Sequence, residues 1–269
     1  MNRRAVHFKM ILRLSLRELT RSHIIWAALA MQLGLSILMA PIAEVGFDEA
    51  PRIYDTLSYF VVSLLGVAVA SFLGAFLWAR DSSKTGLGEV FCRQDFGRFS
   101  LLASRLAAYA VGLVVFSLAG LVFYAIGLQL YAPGRLSLPA LAWMGWLTFW
   151  LNLLALSLAC CLATLTRPAF AALAAIALIA SGGLAESLSG VTSLTQQDLQ
   201  MVSPSAALLN SVVKIWQPQS LVIEQRSGEW LLPTAEQGLM AVLWAMGWIA
   251  VLMAITFFIV RLRDPQDRV

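Results

Sequence analysis

Long apolar stretches, separated by short polar ones, dominate this chain. A helix needs ~20 mainly apolar residues to cross the hydrocarbon core of a bilayer. Six stretches reach that length: 24–43, 57–79, 106–131, 139–165, 169–188 and 238–260. They run continuously in Leu, Ala, Trp and Phe rather than alternating polar with apolar, so helices are expected and outer-membrane strands are not. The expected fold is an all-α polytopic membrane protein, with residues 1–269 forming one transmembrane domain of six spans.

The segment ahead of the first span follows a different pattern. At 100° per residue, Phe8, Leu12, Leu16 and Leu19 share one face, while Arg13, Arg17 and Arg21 share the other. Residues 1–22 are therefore expected to form an amphipathic helix lying in the headgroup layer. A basic start before an apolar run also opens a signal peptide. Here the basic region is too long, and the apolar run has span length and leads to no export domain, so cleavage is not expected. Two connections are long. Residues 80–105 carry apolar positions of their own at Leu87, Val90 and Phe91. Residues 189–236 mix polar pieces (Thr195, Gln196, Gln197, Asp198) with an amphipathic piece over 203–216, which Ser203-Pro204 can start as cap and first-turn proline. That outer piece is free to cap a cavity, dip into a leaflet or meet a periplasmic partner.

Composition sharpens the class. Hydrophobic residues make up 59% of the chain and charged ones 13%, with a mean hydropathy of +0.78. A soluble domain has about a quarter of its residues charged, so much of this surface is expected to face lipid. Orientation follows from Lys and Arg. With the N-terminus inside, 15 of the 19 basic residues fall on the cytoplasmic side, leaving only Arg52, Arg135, Lys214 and Arg226 outside. Nine of the 15 acids fall outside, among them Glu44, Asp48, Glu49 and Asp55 in the first outer loop. Such a bias places both termini in the cytoplasm and the protein in an inner membrane. It also accounts for the pI near 9.2 without nucleic acid. The three cysteines, two of them adjacent (Cys160, Cys161), read as small packing residues.

Catalytic chemistry finds little footing. His7 and His23 both lie near the N-terminal segment, and no span holds an internal His to ligate haem or a metal. Lys9, Lys84 and Lys214 follow Phe8, Ser83 and Val213, so no phosphate-binding Gly-Lys-Ser/Thr occurs, and any ATP must be bound by another chain. Glu186, beside Gly182-Gly183, is read as the start of the outer loop, and Gln32 and Asn152 as interhelical hydrogen-bond formers. Ser157 and Ser181 have no base to activate them. The halves show no repeat, which argues against an inverted-repeat transporter. The chain is expected to be no enzyme, with no metal or cofactor of its own.

The loop between the second and third spans carries the most specific pattern. From Gly86 it reads Gly-Leu-Gly-Glu-Val-Phe-Cys-Arg-Gln-Asp-Phe-Gly-Arg-Phe-Ser-Leu-Leu-Ala-Ser-Arg-Leu, ending at Leu106. This resembles the coupling loop of type-2 ABC exporter permeases. Asp81 stands at that family's early acidic position, Gly86 at its glycine and Glu89 at its glutamate. Val90 and Phe91 fill its apolar stretch, Arg98 is its turn arginine and Arg105 its closing basic residue. Asp95 and Gly97 replace the usual proline and small hydroxyl residue of the turn, and both are turn residues themselves. The resemblance covers about 25 residues as motif and the six-span plan with its interfacial helix and basic tail as architecture.

It implies a permease with no ATPase activity of its own, paired as a homodimer and served by two copies of an ABC ATPase subunit that holds ATP and Mg. A short helix around 88–94 would seat Val90 and Phe91 in a groove of that subunit, with Glu89 and Arg93 at the wet rim. A weaker likeness, through the long outer loop, is to permeases of the nitrous oxide reductase copper-site maturation system. The rival expectations are a secondary transporter or channel, and a non-transporting scaffold in a maturation or secretion complex.

Overall fold

In a computed structural model of the chain, the described residues are 3–45, 50–77, 98–131, 137–192, 221, 225–226, 229–230 and 232–262. They are almost wholly helical. In chain order they form α1 (Arg3–Arg21), α2 (His23–Glu44), α3 (Ala50–Phe72), which runs into a π-turn (Leu73–Leu77), α4 (Arg98–Tyr131), α5 (Leu138–Leu165), α6 (Pro168–Thr192) and α7 (Ala235–Leu262). Gln225–Arg226 (β1) and Glu229–Trp230 (β2) make a two-residue antiparallel pair.

Five helical stretches are long and apolar enough to cross a membrane: Ile25–Glu44, Ala50–Phe76, Ala103–Leu130, Leu138–Leu165 and Ala235–Val260. Within α6 the described apolar stretch, Pro168–Ser181, is shorter than these. The protein is thus a multi-pass membrane protein by the length and apolarity of its helices.

Local chemistry sets the helix ends. Ser137 caps α5, its hydroxyl accepting from the Ala140 amide, with Pro139 in the first turn where its missing N–H costs nothing. Thr166 ends the same helix in extended backbone, and Pro168 then opens α6. At α7, Thr234 Oγ1 accepts from the Gln237 amide at 3.2 Å and Gln237 Oε1 accepts from the Thr234 amide at 3.0 Å. That reciprocal pair satisfies two amides the helix leaves over. Thr234→Ala is expected to lower stability by about 1 kcal/mol, read as a modest drop in the thermal unfolding midpoint in detergent.

The α3 and α5 helices form the centre. The α2 helix packs on α3 and α4, α6 on α5, α3 and the π-turn, and α7 chiefly on α5. The outer helices keep broad apolar faces exposed, such as Leu33, Ile37 and Leu38 on α2 and Leu239, Leu243 and Met246 on α7. Water would not tolerate such faces at this scale; hydrocarbon does. Buried hydroxyls bond back along their own helices, as Ser157 on α5 to the Leu153 carbonyl and Thr256 on α7 to that of Leu252. Such bonds keep polar atoms satisfied without water.

The expected span boundaries shift in one consequential place. Helix α3 begins at Ala50, seven residues ahead of the expected start at 57. Asp55 therefore lies within a helix and 2% exposed, not in an outer loop. The pattern had masked this, because Arg52, Tyr54 and Asp55 are polar enough to look like loop, yet Tyr54 and Asp55 stand on the buried face.

Candidate functional site

Two assemblies of polar residues are built into the bundle, one where α1 meets α4 and one along the seam of α3 and α4. The first begins with the pattern of α1. Ile11, Ser15 and Leu19, four residues apart, are its buried stripe, flanked by the half-buried Phe8, Leu12 and Leu16. Arg13, Arg17 and Arg21 are exposed. The stripe is covered by protein, since α1 packs along α4 and a Cβ at Gly112 would sit 3.1 Å from Leu19 Cδ1. Ser15 fits this face because its hydroxyl bonds to the Ile11 carbonyl at 2.8 Å. A sharp elbow follows: the Ser22 amide bonds to the Leu19 carbonyl, and the Trp26 indole reaches back to the Thr20 carbonyl at 2.9 Å.

Arg105 joins the two helices. Its Nη1 lies 2.6 Å from Glu18 Oε2, with the arginine side chain 3% exposed and the glutamate 29%. As the closing basic position of the loop motif, Arg105 was expected in a cytoplasmic connector. It instead stands inside α4, which already begins at Arg98 and so makes that residue a helix opener rather than a turn residue. The guanidinium faces α1. Gly86, Glu89, Val90, Phe91 and Arg93 lie outside the described residues, as does the outer piece over 203–216. Glu186 stands within α6, and nothing is described of its side chain.

The second assembly follows the α3–α4 seam. Tyr124 on α4 donates its hydroxyl to Asp55 Oδ1. One rung further out, Tyr54 packs its hydroxyl directly on Gly127. Moving the other way, Gly120 takes the side chain of Gln32 from α2 together with Val62 of α3. Further along, Asn152 of α5 packs on Gly66 and donates to Ser117 Oγ at 3.1 Å. Position numbers rise along α3 as they fall along α4, the register of an antiparallel pair. Asp55, Ser58, Val62 and Gly66 follow the i, i+3, i+7, i+11 spacing of one helix face.

Asn152 thus makes the interhelical bond expected of it. Gln32 does not: both its amide atoms are buried without a hydrogen-bond partner, because the residue opposite is Gly120, which offers no side chain. Cys160 and Cys161 are buried packing residues outside any disulfide, and Cys160 Sγ lies 3.4 Å from the Gly74 carbonyl. His23 is exposed at the start of α2, and among the described residues no three His, Cys, Asp or Glu side chains gather as a metal site.

Two features were missed from sequence, the Glu18–Arg105 pair and the Asp55–Tyr124 pair. The first joins residues 87 apart and left no local trace. The second left one. Buried positions at 54, 55, 58, 59 and 62 carry helical spacing that extends the second span towards its N-terminus. Set against known proteins, the chain matches no family model and no curated protein.

Proposed function

We propose that this chain is the membrane subunit of an ATP-driven ABC transporter, working as exporter or mechanotransmitter, with ATP hydrolysed on a separate subunit. The observation that carries this reading is the motif over 86–105, with Gly86, Glu89, Val90, Phe91, Arg98 and Arg105 at the positions of a coupling loop. In this reading α6 is also a span, the fifth of six, both termini are cytoplasmic, the membrane is an inner one, and two copies of the chain pair.

The anchoring of that loop supports the reading on physical grounds. On one side it follows a π-turn at the end of α3, the kind of irregular turn often found at functional positions. On the other it leads into α4, whose third turn is tied to α1 through Arg105 and Glu18. A push on the loop would then reach the centre of the bundle and the amphipathic helix together, as a switch between two packed states requires.

The test is co-purification of the tagged chain with an ABC ATPase subunit from its native membranes. Val90→Asp and Phe91→Asp, each placing a charge in an apolar seat, are expected to abolish the association while leaving membrane insertion intact. Association that survives both changes would rule out the seating helix. One observation favours a second reading, an ion-coupled secondary transporter: Asp55 is a carboxylate buried within a span. Transport that persists with no ATPase present would decide for it.

A further inference from the structure

We propose that Asp55 is an intramembrane proton-binding site, and that the buried polar file running from it along α3 and α4 is its path. Asp55 sits five residues into α3, about 8 Å from the helix start, and Gly66 lies about 16 Å further along. Between them the file holds Tyr124, Ser58 and Gln32, and it ends at Ser117 and Asn152. Each of these residues is 5% exposed or less. Ser58 Oγ, both amide atoms of Gln32 and Asn152 Oδ1 are buried with no hydrogen-bond partner. Buried polar atoms in an apolar phase call for partners, and these stand on the same seam as a carboxylate. Helical spacing places Ser58 between the Asp55–Tyr124 rung and the Gln32–Gly120 rung.

Chemistry selects the occupant. The file's one formally charged member is the Asp55 carboxylate, which favours a cation over an anion. Space is short as well. Gln32, Tyr54 and Asn152 fill the notches at Gly120, Gly127 and Gly66 so closely that a Cβ there would lie 1.9, 1.7 and 2.6 Å from their terminal atoms. A proton fits such packing, whereas a metal ion with its ligand shell does not.

In the ionised state the Tyr124 O–H donates to Asp55 Oδ1. Uptake of one proton from water converts the carboxylate to the acid, and release returns it; no other bond changes. Among the described residues, the other titratable groups on neighbouring positions are Arg52, Tyr54 and Tyr59 on α3, Tyr124 on α4 and the exposed Glu44 at the end of α2. The described part of α6 brings no charged side chain to this seam, and α5 brings only Cys160 and Cys161, towards its far end. The proposal stands apart from the ATPase reading, and loss of ATPase co-purification would leave it untouched.

Among the seven aspartates of the chain, Asp55 is the only one within the described residues. Infrared difference spectroscopy on the protein in liposomes, with all seven aspartate carboxyls carbon-13-labelled, isolates its band as the difference between the unaltered chain and Asp55→Asn. The expected result is a buried carboxylic-acid band that gives way to carboxylate as pH rises, in sodium-free buffer. Asp55→Asn removes the band and Asp55→Glu restores an unlabelled one. Gln32→Leu, which takes two polar atoms out of the file, keeps the band but slows its exchange in deuterium oxide by on the order of tenfold. A labelled protein whose difference from Asp55→Asn shows no protonated carboxyl at any pH where both stay folded overturns the proposal. So does a band that responds to sodium at constant pH, which would mark a metal-ion site instead.

Discussion

Gly74→Ala is expected to destabilise the bundle by about 1–3 kcal/mol, far more than a single methyl group usually does. The reason is what that methyl would meet. Gly74 lies in the π-turn that ends α3, and a Cβ there would come to 2.6 Å from the Leu156 carbonyl oxygen of α5, 3.2 Å from Ala159 Cβ and 3.3 Å from Cys160 Sγ. A side chain can rotate away from such a collision. A backbone carbonyl in the middle of a buried helix cannot, so two central helices must separate. Gly34→Ala and Gly247→Ala are the controls, since a Cβ at either site meets nothing within 4 Å. Both are expected to be neutral or slightly stabilising, because alanine is the better helix former. Thermal unfolding in one detergent compares all three. Equal midpoints for Gly74→Ala and the controls would falsify the close approach of α3 and α5.

Glu18→Ala should cost on the order of 3 kcal/mol and loosen α1 from the bundle. Arg105 is buried in α4 and paired with Glu18 at 2.6 Å. Removing the carboxylate takes a counter-charge from a guanidinium in a poorly solvated place, a heavier penalty than losing a surface ion pair. Arg105→Ala removes the charge itself, and Glu18 can still reach solvent, so its cost should be smaller. The double variant Glu18→Ala/Arg105→Ala is expected to be more stable than Glu18→Ala alone, which a double-mutant cycle quantifies. Protease sensitivity of the α1–α2 elbow gives a second readout. It should rise in Glu18→Ala and return towards normal in the double variant. Additive effects of the two single changes would show that the residues do not interact.

The two substitutions probe opposite ends of the same connection. Gly74 lies at the end of the helix that precedes the 78–97 connection, and Arg105 in the helix that follows it. If that loop takes up force from an ATPase, both variants should also weaken coupling, seen as ATP hydrolysis in the assembled complex that no longer responds to the membrane subunit.

Apolar run lengths were enough to show that this chain builds membrane-length helices, since the ~20-residue requirement is a property of the bilayer. The amphipathic character of α1 was equally local: Leu19 buried against Arg13 and Arg17 exposed follows from 3.6 residues per turn. The caps at Ser137 and Thr234 depend on hydroxyls within three residues of the amides they satisfy. What only the tertiary structure decided was which helix faces meet, because that depends on residues far apart in sequence. Glu18 finds Arg105, Gln32 is set against a glycine, and Asp55 moves from an assumed loop to the inside of a helix pair. An apolar helix carries no sign of which side faces lipid and which faces protein, as hydrocarbon and a packed neighbour select the same residues. The polar file is therefore the part that could be recognised only once α2, α3, α4 and α5 stood side by side.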